Sequence, residues 1–290
     1  MSENKAKLSD SLKKNVTPKN FKKNPIKGTK FTIMVSSAKG GVGKSTFATN
    51  LALALKQVGC KVGLLDADIY GPSIPKMFDI HEKPKSDGQK LDPITKFDIQ
   101  CMSIGFLTDQ DTPMIWRGPM VTQALEQLLT DTQWKDVDYL IIDLPPGTGD
   151  VQLTLCQKIP VSGAVIVTTP QDISLIDARK GLKMFEKVEV PVLGIVENMS
   201  THVCKKCGHI ESIFGEGGGE QLASEAGVKL LGELPLEKQI REEMDKGTPT
   251  VSSNPMDPAS LAYREIARKM TATLSMRKKD YSAAFPKIVI

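Results

Sequence analysis

The chain has 290 residues, 40% of them hydrophobic and 25% charged, with a formal net charge of +4. That is enough for one large α/β domain or two small ones with a sizeable core. Its longest apolar runs, such as YLII and GAVIV, are strand-sized and fall short of the roughly 20 residues of a membrane helix. The first residues carry no apolar signal core either, so a soluble, intracellular protein is expected.

Charge is unevenly spread. Residues 1–30 hold nine lysines against Glu3 and Asp10, about +7, which leaves about −3 for the rest. A lysine-rich stretch with Pro18 and Pro25 is expected to be a solvated, disordered lead-in over 1–29, with contact to acidic partners or nucleic acid as its other use. It contains no arginine, which gives a mitochondrial presequence little support. The folded unit is expected over 30–276, with a C-terminal tail over 277–290.

KFTIMVSS (30–37) reads as the first strand. KSTFATNLALALKQV (44–58) reads as a helix, with Phe47, Leu51, Ala54, Leu55 and Val58 on one stripe. CKVGLLDAD (60–68) is a second strand, followed by an irregular, proline-rich stretch over 70–97. FDIQCMSI (97–104) is a strand, and a helix follows over about 119–131. VDYLIIDLPP (137–146) precedes a short helix near 150–158. SGAVIVTTP (162–170), a helix over 172–187 and VPVLGIVENM (190–199) continue the alternation. A helix near 217–226, the strand VKLLGELP (228–235) and helices near 237–245 and 258–275 complete it. Nearly unbroken runs of Val, Ile and Leu are how strands buried on both faces read. Alternation with helices then implies a doubly wound, mostly parallel α/β sheet. Tyr263, Ile266, Ala267, Met270 and Leu274 form a stripe on the last helix that is expected to cover the sheet. The chain continues past it through RKKDYSAAFPKIVI, unlike a terminal membrane anchor.

SSAKGGVGKST (36–46) follows the first strand and opens the first helix, the setting of a phosphate-binding loop. Gly40, Gly41 and Gly43 let the backbone curl so that its N–H groups face a β-phosphate, and the helix N-terminus adds partial positive charge. Lys44 is expected to reach the β- and γ-phosphates, Ser45 to ligate Mg²⁺ and Thr46 to contact the α-phosphate. Ala38 stands where the first glycine is usual, and Lys39 is a second lysine beside Val42 in the same loop. Asp66 and Asp68 end the second strand at the sheet edge where ligands bind. Asp66 supports the Mg²⁺ shell or the loop, and capping a helix is the rival use of both aspartates. Asp143 ends YLIID in a Walker B pattern, which puts its carboxylate near Mg²⁺ through water. The backbone N–H of Gly147 is a candidate sensor of the γ-phosphate.

K-G-G-x-G-K-[ST] resembles the deviant Walker A of the dimeric P-loop ATPases that include nitrogenase iron protein, MinD and ParA. The resemblance implies that Lys39 reaches the partner's nucleotide across a dimer, like an arginine finger supplied in trans. It also implies that Asp68 orients the attacking water. Asn198, in GIVENMS, would bond the adenine edge, with a turn role as its rival. Pro235, in GELPL, would lie against the base.

Of five cysteines, Cys60, Cys101 and Cys156 lie singly in apolar contexts and read as small buried hydrophobes. Cys204 and Cys207 form a C-x-x-C in HVCKKCGH (202–209), and no second C-x-x-C exists. Two thiolates at this spacing chelate one metal centre. Lys205 and Lys206 between them are expected to lower the thiol pKa values. A zinc site that adds His202 and His209 is the main rival, and purely redox C-x-x-C chemistry the other.

DADIYGPSIPKM, MIWRGPM, DLPPGTGDVQLTL, TPQDISLIDARKGLKMF and GIVENMS followed by CKKCG and IFGEGGGE resemble, in order and spacing, the Mrp/ApbC-type iron–sulfur cluster carriers and their mitochondrial Ind-type relatives. The resemblance runs over about 30–250. The departures are Ala38 and the absence of the accessory domain that precedes this unit in many bacterial members. It implies a weak ATPase using ATP and Mg²⁺. It also implies a homodimer that bridges a [4Fe–4S] cluster between two C-x-x-C pairs and hands it to apo iron–sulfur proteins. A cytoplasmic location is expected, with the mitochondrial matrix as alternative, and neither membrane nor nucleic acid as partner. A MinD/ParA-like positioning ATPase is the rival for the whole chain.

Overall fold

A computed structural model describes residues 26–107 and 118–277. Residues 1–25 and 278–290 of the expected tails and most of MIWRGPM lie outside these residues. The expected 1–29 lead-in is too long: Ile26 is buried in the core and Thr29 already begins the first strand, with its hydroxyl donating to the Ile26 carbonyl at 2.9 Å. The strands are β1 (Thr29–Ser36), β2 (Val62–Asp66), β3 (Ile94–Lys96), β4 (Ile99–Ser103), β5 (Val137–Asp143), β6 (Gly163–Thr168), β7 (Val192–Glu197), β8 (His202–Val203), β9 (Ile210–Glu211) and β10 (Leu230–Glu233). The helices are α1 (Lys44–Gln57), α2 (Ile74–Met77), α3 (Gly118–Asp131), α4 (Asp150–Lys158), α5 (Asp172–Lys187), α6 (Gly218–Glu225), α7 (Lys238–Asp245), α8 (Thr250–Ser253) and α9 (Pro258–Ser275).

Eight strands form one sheet in the order β10-β7-β6-β1-β5-β2-β4-β3, parallel throughout except for β3. Every residue of β2 and β6 is buried, as the unbroken apolar runs require. β1 lies between β5 and β6, so the winding reverses there. Right-handed crossovers running outward in opposite directions from β1, the general rule for parallel sheets, place α1 on one face and α5 on the other. α9 packs on α1, β7 and β10. Its Tyr263 ring lies 6.2 Å from that of Phe47, and Ile266, Ala267 and Met270 are buried with it, so the stripe covers the sheet as expected. Val58, placed on the α1 stripe by spacing, is instead 40% exposed as that helix ends.

The register brings three sequence signals to one edge. Val35 pairs with Asp143, and Asp143 with Asp66, so the loop after β1 and the ends of β2 and β5 meet. The stretch over 70–97, expected to be irregular, holds α2 and the antiparallel edge strand β3. β8 and β9 form a separate antiparallel hairpin around the C-x-x-C. Its two-residue strands show no periodicity from which to predict them. Among the described residues, no helix is long and apolar enough to cross a membrane.

Candidate functional site

The loop from Ser37 to Gly43 joins β1 to α1. Gly41 (φ 82°) and Gly43 (φ 81°) hold its left-handed positions, which an L side chain resists. A Cβ on Gly43 would also fall 2.3 Å from Asn198 Nδ2. Ala38 has no positive φ, so a Cβ is tolerated where a glycine is usual. Gly181 of α5 faces it, and even a Cβ at that position would only make an ordinary 3.7 Å contact with the Ala38 methyl, so the site is not crowded. α1 has no side-chain cap, so its first N–H groups are left for an anion.

Lys44, buried at the head of α1, donates to Asp143 Oδ1 at 2.6 Å and to Ser45 Oγ at 3.2 Å, and its ammonium lies 3.6 Å from Asp68 Oδ2. Among the described residues, Lys39 has no ion-pair partner; the loop closes instead through Ser37 Oγ donating to the Lys39 carbonyl at 2.9 Å. The two lysines are thus in different states, one held by carboxylates and one uncommitted.

Asp66 is fully buried. Its carboxylate accepts N–H bonds from Asp68 (3.2 Å), Ser73 (3.0 Å) and Ile74 (3.1 Å), and the Ser103 hydroxyl at 3.1 Å. This carboxylate therefore ties down the loop that follows β2 and the start of α2. Burial, and then the charge of Asp143, push its pKa up to about 7. Burial also raises that of Asp68. Asp68 Oδ1 and Asp143 Oδ2 are buried without a hydrogen-bond partner among the described residues. Two orphaned carboxylate oxygens beside Ser45 fit a hard divalent cation with oxygen ligands, the chemistry of Mg²⁺. The Gly147 N–H donates to the Ser37 carbonyl at 2.8 Å, so contact with a γ-phosphate requires that bond to be exchanged.

Beside the loop lies a cavity of about 430 Å³, lined by Gly43, Thr46, Asn198, Met199, Pro235 and Leu236 among others. Asn198 Nδ2 donates to the Val42 carbonyl at 2.8 Å, so this amide braces the loop and leaves its oxygen for a ligand. Met199 next to it sits at φ 57°, a left-handed conformation uncommon for a side chain of this size.

The C-x-x-C occupies the β8–β9 turn. The Cys204 N–H donates to the His209 carbonyl at 2.9 Å and the Gly208 N–H to the Cys204 carbonyl at 2.8 Å, with Gly208 at φ 73°. Cys204 is half-buried and Cys207 exposed. The Cys204 thiol pKa is lowered chiefly by the backbone N–H groups of Lys206 and Cys207, then by the Cys207 side chain. This corrects the expectation that the lysine ammonium groups do so: the turn aims amides at the sulfur. His202 Nδ1 donates to the Leu236 carbonyl at 2.9 Å. Among the described residues, no three His, Cys, Asp or Glu side chains are grouped to hold a metal ion. The four-ligand zinc arrangement is thus not assembled within one chain. Of the single cysteines, Cys101 and Cys156 are buried as expected, but Cys60 is partly exposed.

Residues 28–271 match the family described as NUBPL iron-transfer P-loop NTPase, within the ParA group. The chain belongs to this family. It is 57% identical over 271 residues to the iron–sulfur cluster carrier protein of Escherichia coli K12, covering 92% of this chain and 73% of that one. It is 51% identical over 256 residues to the iron–sulfur cluster transfer protein NUBPL of Mus musculus, covering 87% and 80%. Among solved structures, the nucleotide-binding protein of Archaeoglobus fulgidus in complex with ADP aligns with a TM-score of 0.70 at 37% identity, covering 81% of this chain and 92% of that one. The cell division ATPase MinD of Pyrococcus furiosus aligns at 0.62 and 20% identity, covering 83% and 98%, and shares the fold.

In this NUBPL-type NTPase the fold gathers Lys44, Ser45, Asp66, Asp68 and Asp143 at one edge, with Thr46, Asn198 and Pro235 around the adjoining cavity. Sequence reasoning missed Ser103, which holds Asp66, and Glu197. Glu197 is buried at the end of β7, accepts the Gly219 N–H at the start of α6, and has its pKa raised by burial. A glutamate closing the otherwise apolar run GIVE was the available signal.

Proposed function

We propose that the chain is an ATP-binding, slowly hydrolysing carrier that holds a [4Fe–4S] cluster and passes it to apo iron–sulfur proteins. The observation that carries this reading is the pair of accessible thiols, Cys204 and Cys207, on a small hairpin beside the nucleotide cavity. Two thiolates fill half of a four-cysteine cluster shell, so a second copy of the chain supplies the rest and the working unit is a homodimer. A shared, exposed site suits cargo that must leave.

At the other site, nucleotide phosphates lie on the loop amides of Ala38 to Lys44 and the N-terminus of α1. Lys44 turns from Asp143 to the β- and γ-phosphates, and Thr46 contacts the α-phosphate. Mg²⁺, held by Ser45 with Asp143 through water, would offset phosphate charge. Asp68 orients the attacking water, and Asp66 keeps the Asp68 loop in place. Lys39, uncommitted within its own chain, reaches the partner's nucleotide. Asn198 and Pro235 hold the base. The folded unit is one domain, working in the cytoplasm.

After anaerobic reconstitution, iron and sulfide analysis should find about one [4Fe–4S] cluster per two chains, with the matching visible spectrum. Cys204→Ala should abolish it. A variant that keeps its cluster would sink the carrier reading.

A further inference from the structure

The nucleotide cavity and the thiol hairpin share a wall. On one side Pro235, Leu236 and Glu237 line the cavity next to Gly43 and Thr46. On the other side the same segment carries the root of the hairpin. The Leu234 N–H donates to the Glu197 carbonyl at 2.9 Å, the Ser200 N–H to the Leu234 carbonyl at 3.0 Å, and the Leu236 N–H to the Thr201 carbonyl at 2.7 Å. These backbone bonds make 234–236 and 197–201 move together. The last link is a side chain: His202 Nδ1 reaches the Leu236 carbonyl at 2.9 Å. A carbonyl only accepts, so Nδ1 carries the proton. His202 opens β8, and Cys204 lies two residues further on. The other side-chain tie from the turn, Lys205 Nζ to Gln239 Oε1, is a long 3.5 Å.

We propose that His202 is a positioning residue that couples nucleotide occupancy to the setting of the Cys204–Cys207 pair, through its bond to the Leu236 carbonyl. A ligand shifts a structure only through contacts that differ between two states. A base against Pro235 and Leu236 meets the very peptide whose carbonyl holds the imidazole. Moving that peptide moves the acceptor, the ring and the start of the turn whose amides face the Cys204 sulfur. Coupling of this kind is reciprocal, so the state of the thiols feeds back on nucleotide affinity. The purpose of the coupling rests on the carrier reading, but its detection does not.

The test uses the full, metal-free chain under anaerobic conditions. Alkylation of Cys204 and Cys207 by iodoacetamide is followed site by site by mass spectrometry, with and without saturating Mg-ADP. In the unsubstituted chain ADP should change the rate by about five-fold or more, the low end of ordinary site-to-site coupling. His202→Asn places an amide nitrogen where Nδ1 was and should keep the response. His202→Gln places it where Nε2 was and should reduce the response to less than about two-fold, with ADP affinity within about three-fold of the original. An unsubstituted chain that ignores ADP would overturn the proposal. So would a His202→Gln chain that responds in full, or equal loss in both variants. A chain that responds as described yet takes up no cluster would remove the carrier reading and leave the coupling standing.

Discussion

At the carboxyl edge of the sheet, Lys44 is 6% exposed and Asp66 and Asp143 are not exposed at all. The thiols of Cys204 and Cys207 lie on a hairpin of two-residue strands outside the main sheet. The first region holds its charges in place through the register of β1, β2 and β5, so its geometry is inseparable from the core. The second is set by one turn, a few amides and the His202 link. Charges that meet phosphate need fixed positions, because reorganising them during the reaction is costly. Thiols that exchange a cargo need access and a local frame. On the reading proposed above, each region has the mechanics its task requires.

The largest effect expected from this contrast is that of Lys44→Ala. It removes the ammonium facing Asp68 and Asp143 and leaves buried carboxylates uncompensated, a change that costs about 3–5 kcal/mol in comparable pairs. Urea titration of the nucleotide-free chain should show the loss. Nucleotide affinity should fall on the order of 10²-fold, since each charge-assisted bond to phosphate contributes about 1.5–3 kcal/mol. Lys39→Ala should leave stability within about 0.5 kcal/mol and keep nucleotide binding while turnover is lost. Equal loss of binding in the two variants would place both lysines on the same nucleotide and end the trans role of Lys39.

A smaller effect comes from Asp66. Its folded pKa is raised from 3.8 to about 7 by burial and by Asp143. Between these values the folded chain takes up a proton that the unfolded chain does not. The stability linked to this group is therefore full below the unfolded pKa and lost as pH rises towards 7. The slope approaches about 1.4 kcal/mol per pH unit at most. Urea midpoints between these pH values should show the decline in the unsubstituted chain, and Asp66→Asn should remove it. An unchanged slope in the variant would assign the titration to another group.

The nucleotide edge was largely legible in the sequence because its signals are local. Glycine spacing, a strand before and a helix after fix the loop, and an aspartate closing an apolar run marks a strand end. The hairpin was not legible in this way. HVCKKCGH announced two thiols but not the turn that presents them, since β8 and β9 are too short to carry a period. What anchors the turn is also remote in sequence: His202 bonds the Leu236 carbonyl. Lys205 and Lys206 drew attention by charge, yet the amides of Lys206 and Cys207 lower the Cys204 pKa. Backbone direction is invisible to residue type. The same limit hid Gly147, whose N–H is engaged by Ser37.

The smallest expected effect is the most direct check on the contrast. Cys204→Ser with Cys207→Ser should change the stability of the metal-free chain by no more than about 0.5 kcal/mol, the usual range for surface substitutions. Cys207 is exposed and Cys204 half-buried, so little packing is lost. A serine hydroxyl can also accept from the Lys206 and Cys207 amides. The urea titration used for Lys44→Ala measures both variants on one scale. Near-zero change beside a loss of several kcal/mol would mean that the hairpin is free to open and close on its cargo without loosening the sheet. A loss above about 2 kcal/mol would instead mark the turn as part of the cooperative core, since values that large need a buried or structural cause. Access to the thiols would then depend on global opening, and a labile exchange site would no longer fit.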